Sequence, residues 1–133
     1  MLLVGLLLGW DWVIKSRRAA QRPEMNDHEF LSAYRGPQAS DADAEILGVR
    51  RRIAKELHLP ESKIRPSDGL TDLRDRYCLV IDGHLALGDL FDDLQDLGAT
   101  SSTPAVFPET VHDYVAAFLE RSSIRRSNDK RTY

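Results

Sequence analysis

A short amphipathic segment, residues 87–98, constrains the fold of this chain more than any other stretch. Its apolar residues recur every three or four positions, as one side of a helix requires: Leu87, Leu90, Phe91, Leu94 and Leu97. Its aspartates fall on the opposite side of that helix: Asp89, Asp92, Asp93 and Asp96. The pattern therefore predicts a helix with one side in a core and an acidic side that faces water or a partner.

Two further long helices are predicted, one before and one after the acidic segment. The first runs from about Asp41 to Leu57, with Ser40 or Asp41 as its N-cap and Pro60 beyond its end. The last begins at Thr110, three residues before an acidic residue that suits a capping box. Its apolar residues have the clearest helical spacing in the chain: Val111, Tyr114, Val115, Phe118 and Leu119.

The apolar positions of these segments define a predicted core. It comprises Ile46, Val49, Ile53, Leu57, Ile64, Leu70, Leu90, Phe91, Leu94, Val111, Tyr114, Val115 and Phe118. A basic run lies off the apolar stripe of the first long helix: Arg50, Arg51, Arg52 and Lys55. Such a run is typical of a solvated helix face, with partner binding as the alternative.

A shorter helix is marked by local signals in the segment that precedes these elements. Asn26 is an N-cap with Glu29 three residues on, and Met25 and Phe30 stand where a hydrophobic staple would close. Gly36 and the proline after it end the helix. A helix this short with an apolar side is expected to dock on a neighbouring domain.

The connections on the way to the acidic helix are less determined by the sequence. Residues 59–73 read as a long loop that Ile64, Leu70 and Leu73 pin to the core. Residues 77–87 fit a hairpin about an Asp-Gly turn, or a loop in which Asp82 caps the following helix. We favour the loop, with the regular helix beginning only near Gly88, because no third strand is predicted.

Residues 1–14 are apolar apart from Asp11, and a basic stretch, residues 15–22, follows them. As a helix they rise about 20 Å, less than the roughly 30 Å hydrocarbon core of a bilayer. Trp10 and Trp12 suit the headgroup level, and the positive-inside rule places the rest of the chain in the cytoplasm. We expect a short or tilted membrane anchor; an interfacial helix, a core helix and a wrongly assigned start are the alternatives.

Composition and motifs exclude several function classes. A net charge of −3 argues against nucleic-acid binding, because phosphate contacts need a basic face. The single cysteine, Cys78, excludes an internal disulfide and a multi-cysteine zinc site, and it is predicted to be a buried small hydrophobe. No metal-binding pair at helical spacing, phosphate loop or nucleophile elbow is present. We therefore expect no catalytic residue, metal site or cofactor.

Some side chains could nevertheless take part in acid–base chemistry: His28, His58, His84, His112, Asp82 and Asp113. His112 and Asp113 are adjacent, so on a helix they point about 100° apart and do not easily face one site. Cys78 and His84 would meet only across a turn, with no nearby cation to favour the thiolate.

The order of helix, long pinned loop, acidic helix, shorter loop and helix resembles an acyl carrier protein over about Asp41 to Arg121. The stretch IAKELHLPESKIRPSDGL is similar to the family's first helix and long loop. FDDLQDLG is similar to its acidic second helix, and ETVHDYVAAFL to its final helix. The resemblance implies a small all-α bundle with a long first loop, whose acidic helix docks partner proteins.

The chain departs from the carrier pattern where the family attaches its phosphopantetheine arm. The family has Asp-Ser-Leu there, whereas Gly83, or His84 with a one-residue shift, stands at the serine position. No serine occurs between Ser67 and Ser101. Ile81-Asp82-Gly83 is similar instead to small bacterial proteins of this fold that have no assigned role.

These observations predict a non-catalytic, carrier-like interaction module that binds a basic patch on a partner protein through the acidic helix. The alternatives are a functional carrier with a non-standard attachment site and a purely structural membrane-associated bundle. The predicted parts are an apolar segment 1–14, a linker with the docking helix 15–40, the carrier-like domain 41–121 and a basic polar tail 122–133.

Overall fold

The computed structural model describes residues 2–78, 80–97 and 107–131, with the side chains of residues 80–84, 128 and 131 outside the description. The described residues contain helices and no strand, which confirms the predicted all-α class. The α-helices are α1 Leu2–Gln21, α2 Asp27–Arg35, α3 Asp43–Glu56, α4 Leu70–Tyr77, α5 Val80–Leu97 and α6 Val111–Arg131. A single 3₁₀ turn, Glu61–Lys63, lies between α3 and α4 in the described chain.

The core lies where α3, α5 and α6 pack against one another, with α2 against α3 and α4 against α5. Every predicted core residue is buried except Phe91 and Phe118, which are half-buried. The ring of Phe91 packs against that of Phe107, with centroids 5.4 Å apart. Cys78 is buried as predicted.

The short helix α2 forms as its local signals predict. Its capping box is complete: the Glu29 amide donates to Asn26 Oδ1 at 2.8 Å, and the Asn26 amide donates to Glu29 Oε1 at 3.4 Å. Gly36 ends the helix with a φ of 94°, a conformation in which a side chain would be strained. Phe30 and Leu31 are buried, so α2 docks on the bundle.

The predicted loop over residues 59–73 is wrong at its end, because α4 begins at Leu70. Leu70 and Leu73, which the sequence analysis treated as loop anchors, are buried and three residues apart, as one side of a helix requires. The 66–70 segment is held by α6: the Val111 amide donates to the Asp68 carbonyl at 2.8 Å, and the Leu70 amide donates to the Glu109 carbonyl at 2.8 Å.

The loop and hairpin interpretations of residues 77–87 are both wrong, since α5 is helical from Val80. Gly88 costs about 1 kcal/mol in a helix. That cost is outweighed because Ala86 and Leu87 are buried in the core, and each buried apolar side chain contributes favourably. The role of Asp82 as a helix cap concerns a side chain outside the description.

Two further helices, α1 and α6, are also longer than predicted, and α3 is shorter. Helix α1 continues to Gln21, into the segment assigned to a linker. Helix α6 continues through the predicted tail to Arg131, and the Arg126 guanidinium, 2.9 Å from the Glu45 carboxylate, ties that extension to α3. Helix α3 begins at Asp43 and its N-cap position is Ala42, with no side-chain cap, so the prediction of Ser40 or Asp41 as the N-cap is wrong. The Asp43 carboxylate accepts two hydrogen bonds from Arg35.

In the basic run on α3, Arg51, Arg52 and Lys55 are exposed, as the prediction of a solvated face requires, whereas Arg50 is buried. Arg50 is only 1% exposed, and its guanidinium donates to the carbonyls of Met25 (2.6 Å) and Ile64 (3.0 Å) and to Asp27 (2.9 Å). Its Cζ lies 4.5 Å from the centroid of the Phe30 ring. A buried arginine with this many partners joins α3, α2 and the 3₁₀ segment into one unit.

The end of α3 is a Schellman motif built on a residue with a side chain. The Leu59 amide donates to the Ala54 carbonyl at 2.9 Å, and the His58 amide donates to the Lys55 carbonyl at 3.2 Å. His58 has a φ of 54°, in the left-handed region that favours glycine.

Helix α1 attaches to the bundle by its C-terminal half. Lys15 donates to the Cys78 carbonyl at the end of α4, and Lys63 donates to the Arg22 carbonyl at 2.6 Å just beyond α1. Asp11 lies 3.2 Å from the Lys15 ammonium, which balances its charge within the apolar segment. No helix in the described residues is both long enough and apolar enough to span a membrane.

Candidate partner-binding face on α5

Helix α5 is fixed on the bundle from its buried side. The Tyr114 hydroxyl donates to the Leu90 carbonyl at 2.9 Å, and the Arg121 guanidinium donates to the Leu94 carbonyl. Burial raises the pKa of Tyr114, so its hydroxyl stays protonated and remains a donor. Leu90 and Leu94 are buried, as the sequence predicts. The opposite side of the helix is therefore presented in one orientation.

The four predicted partner-binding aspartates fall into two groups. Asp89, Asp92 and Asp96 are exposed, and none has an ion pair or a hydrogen bond to its side chain within the described part of the chain. Asp93 is half-buried and accepts a hydrogen bond from Arg52 Nε at 2.7 Å. Asp93 therefore joins α5 to α3, and three aspartates remain available to a partner.

An exposed leucine, absent from the predicted binding residues, lies on the same side as these aspartates. Leu85 precedes Asp89 by four residues and Asp92 by seven, the spacing that places residues on one side of a helix. It is 67% exposed, in contrast to the buried leucines of α5. The same spacing rule that was applied to residues 87–97 identifies Leu85 once the helix is known to start at Val80. We call Leu85, Asp89, Asp92 and Asp96 the acidic face.

The placement of these charges is unfavourable for the isolated helix. Asp92 and Asp96 are four residues apart, and like charges at that spacing destabilise a helix by about 0.2–0.5 kcal/mol. Asp96 also lies in the last turn of α5, where the negative end of the helix dipole disfavours an anion. Arg121, bound to the Leu94 carbonyl, supplies one cation near that end. Solubility alone does not require aspartates in these positions, whereas a basic partner would.

The position that the predicted resemblance to acyl carrier proteins assigns to the attachment serine lies near the start of α5. Gly83 and His84 are the fourth and fifth residues of the helix. Their side chains, like that of Asp82, lie outside the description, so the pairing of His84 with Cys78 is not defined. The hydroxyl that a phosphopantetheine arm needs is absent from the sequence at this position.

The remaining acid–base groups do not converge on one site. His28 is exposed on α2 and His58 is exposed in the turn after α3. The buried Cys78 thiol donates to the Leu57 carbonyl at 3.1 Å. His112 Nδ1 and Asp113 Oδ1 are 3.6 Å apart, both about half-exposed, so these neighbours approach more closely than their positions on a helix suggested. Among the described residues, no group of three or more histidine, cysteine or acidic residues could hold a metal ion.

Comparisons with protein-family models, with curated proteins and with solved structures found no match to this chain.

Proposed function

We propose that this protein is a non-catalytic, acyl-carrier-like interaction module that binds a partner protein through the acidic face of α5. The partner carries a basic patch with an apolar recess. In this proposal residues 1–14 hold the module at the cytoplasmic face of a membrane. The observation that carries the proposal is an exposed leucine among three exposed aspartates that have no side-chain partner among the described residues.

The chemistry of the acidic face defines what it would recognise. Asp89, Asp92 and Asp96 offer carboxylates to lysine or arginine side chains, which speeds association and favours basic surfaces. Leu85 supplies the apolar contact that a purely electrostatic surface lacks, since binding energy usually concentrates in a few well-packed apolar groups. Because the aspartates are exposed, the binding should weaken as salt concentration rises.

The proposal treats the domain as a carrier that has lost its arm. A carrier role needs a hydroxyl for phosphopantetheine, and Gly83 or His84 stands in its place. The chain is to be incubated with a broad-specificity phosphopantetheinyl transferase and coenzyme A, and its intact mass measured. We expect no change in mass, whereas a gain of one phosphopantetheine arm would establish a functional carrier with a non-standard attachment site.

The binding face is tested by affinity capture from cells that express the full chain. The face variant carries Asp89→Asn, Asp92→Asn and Asp96→Asn, which remove charge and keep shape. A control variant removes equal charge from exposed acidic side chains elsewhere: Asp41→Asn, Asp72→Asn and Glu120→Gln. We expect a partner that is retained at low salt by the wild type and the control, and is lost from the face variant.

The captured partner is then purified and its affinity measured against salt concentration for the same three proteins. The proposal requires a weaker salt dependence in the face variant than in the control. Equal losses in both variants would show a non-specific effect of charge. If no partner is recovered at low salt, the purely structural membrane-associated bundle becomes the better account.

A further inference from the structure

Three arginines converge on an open cleft at the junction of α1 and α4. The cleft has a volume of about 500 Å³, and its lining includes Arg18, Arg22, Arg76 and Tyr77. Arg18 lies in the last turn of α1 and Arg76 in the last turn of α4. Both are exposed and have no ion-pair partner among the described residues. Two separate helix ends thus contribute cations to one concave surface.

Arg22 is oriented within the cleft by its own partners. Its guanidinium donates to the Tyr77 hydroxyl at 3.2 Å and to the Asp68 carboxylate. Its Nε is buried and has no hydrogen-bond partner in the described chain. Asp68 neutralises one of the three arginines, so the cleft keeps an excess of two positive charges. One oriented guanidinium, that of Arg22, beside two exposed guanidinium groups with available N–H donors suits the oxygens of a phosphate group.

The same helix carries a large exposed apolar surface at its other end. The following side chains are each at least 43% exposed: Leu2, Leu3, Val4, Leu6, Leu7, Leu8, Trp10 and Trp12. A helix that is apolar all round is typical of a core or a membrane, and here no described residue covers it. Residues 2–12 rise about 16 Å as a helix, close to the roughly 15 Å of one hydrocarbon leaflet.

The distance along α1 between its apolar half and the arginine cleft matches the depth of the lipid headgroup region. With Trp12 at the boundary of the hydrocarbon, Arg18 lies about 9 Å farther along the helix axis. The polar headgroup region extends roughly 5–8 Å beyond that boundary on each side, and an arginine side chain reaches several ångströms further. Lys15 and Lys63 fix α1 on the bundle, so the cleft cannot turn away independently of the apolar half.

We propose that the Arg18–Arg22–Arg76 cleft binds the phosphate group of an anionic lipid headgroup while residues 2–12 enter one leaflet. The inference rests on the membrane attachment proposed above and is independent of the acidic face. In this inference residues 2–12 enter a single leaflet and do not cross the bilayer. The inference also gives the attachment a preference for anionic over zwitterionic lipid.

The test uses the full chain and flotation with vesicles of phosphatidylcholine alone or with added phosphatidylglycerol. The cleft variant is Arg18→Gln with Arg76→Gln. A charge-matched control is Arg125→Gln with Lys130→Gln, exposed on α6. A third variant, Leu3→Ser with Leu7→Ser, reports on the apolar half. Circular dichroism confirms that each variant is helical before it is compared.

We expect the wild type and the control to prefer the anionic vesicles. The cleft variant should bind those vesicles about 25-fold more weakly, because each basic residue near an anionic surface contributes about fivefold to affinity. Its binding to phosphatidylcholine should be unchanged. The leucine variant should lose binding to both kinds of vesicle.

Several results would overturn the inference. Equal losses in the cleft variant and the control would show general charge attraction without a site. Arginine-dependent binding of millimolar inorganic phosphate, together with anionic-vesicle binding that is unchanged in the cleft variant, would show a site for a soluble anion. Retained vesicle binding in the leucine variant would contradict leaflet insertion. If the wild-type chain forms a dimer in light scattering and binds no vesicles, the apolar half of α1 contacts a second copy of the chain instead of a membrane. The last two results would refute the membrane attachment itself, whereas the first two refute only the headgroup site.

Discussion

Two neighbouring arginines on α3 are predicted to differ sharply in their contribution to stability. Arg50 is 1% exposed and makes hydrogen bonds to three acceptors, whereas the Arg51 side chain is 63% exposed and contacts Glu61 at 3.3 Å. Methionine replaces the aliphatic part of either side chain and removes the guanidinium. The pair Arg50→Met and Arg51→Met therefore compares the same chemical change in two environments.

The magnitude for Arg50→Met follows from its acceptors. The carbonyls of Met25 and Ile64 lose their donor, and a buried acceptor left without a partner costs about 1–3 kcal/mol. Asp27 is half-exposed and regains water, so it adds little. Burial lowers the pKa of Arg50, which indicates that keeping its charge in the core costs free energy. The substitution removes that cost and so offsets part of the lost stability. We expect a net loss of about 2–4 kcal/mol, mainly from the two carbonyls.

Arg51→Met should lower the free energy of unfolding by about 0–1 kcal/mol, the range for an exposed ion pair. Equilibrium unfolding in urea measures both variants, with the wild-type m-value as a check that the unfolding transition is unchanged. Equal free energies of unfolding for the two variants would refute the proposed role of Arg50 in the core. A stabilised Arg50→Met variant would show that the cost of burying the charge exceeds the gain from its hydrogen bonds.

The remaining predictions concern the core, the end of α3 and the acid limb of stability. Leu94→Ala should lower the free energy of unfolding by about 2–5 kcal/mol, because Leu94 is 1% exposed. Asp92→Ala, on the exposed side of α5, should change the free energy of unfolding by less than about 0.5 kcal/mol. Similar effects of the two variants in urea unfolding would contradict the assignment of a buried and an exposed side. His58→Gly should raise the free energy of unfolding by about 0.5–1 kcal/mol, because the left-handed conformation disfavours a side chain. The gain is partly offset by the greater conformational freedom of glycine in the unfolded chain. A lower melting temperature for the variant would show that the His58 side chain stabilises the fold. The hydrogen bonds from Arg35 lower the pKa of the Asp43 carboxyl in the folded state. The carboxylate therefore stabilises the fold above the unfolded-state pKa of about 4, and this stabilisation is lost as the pH falls through the folded-state pKa. Asp43→Asn should reduce stability at neutral pH and make it less sensitive to acid, and an unchanged pH profile would count against the ion pair.

The sequence predicts those elements whose signals are local or periodic. The capping box at Asn26 needs only neighbouring residues, and the buried stripe of α6 follows from its spacing. Leu87, Leu90 and Leu94 of α5 are buried, and exposed aspartates lie on the other side, as expected. Helix α4 was missed because two leucines three residues apart fit a pinned loop as well as a short helix.

Other features depend on contacts between segments that are distant in the sequence. The burial of Arg50 requires carbonyls from Met25 and Ile64, which no helical pattern on α3 can reveal. Asp93 is removed from the candidate site by Arg52, 41 residues away. The early start of α5 reflects burial of Ala86 and Leu87, which outweighs the low helix propensity of glycine. Leu85 became part of the acidic face only once that start was known.

The acidic face is tested most directly by photo-cross-linking from within it. A Cβ at Gly88, three residues after Leu85 and four before Asp92, would have no atom within 4 Å, so a photoreactive residue there would not disturb the bundle. The same residue at the exposed Ser123 on α6 serves as the control position. We predict that irradiated cells yield a discrete cross-linked partner from position 88 and not from position 123. That product should disappear when Asp89, Asp92 and Asp96 are changed to asparagine. The same products from both positions, or a product that is insensitive to the aspartates, would contradict the proposal that α5 carries the binding face.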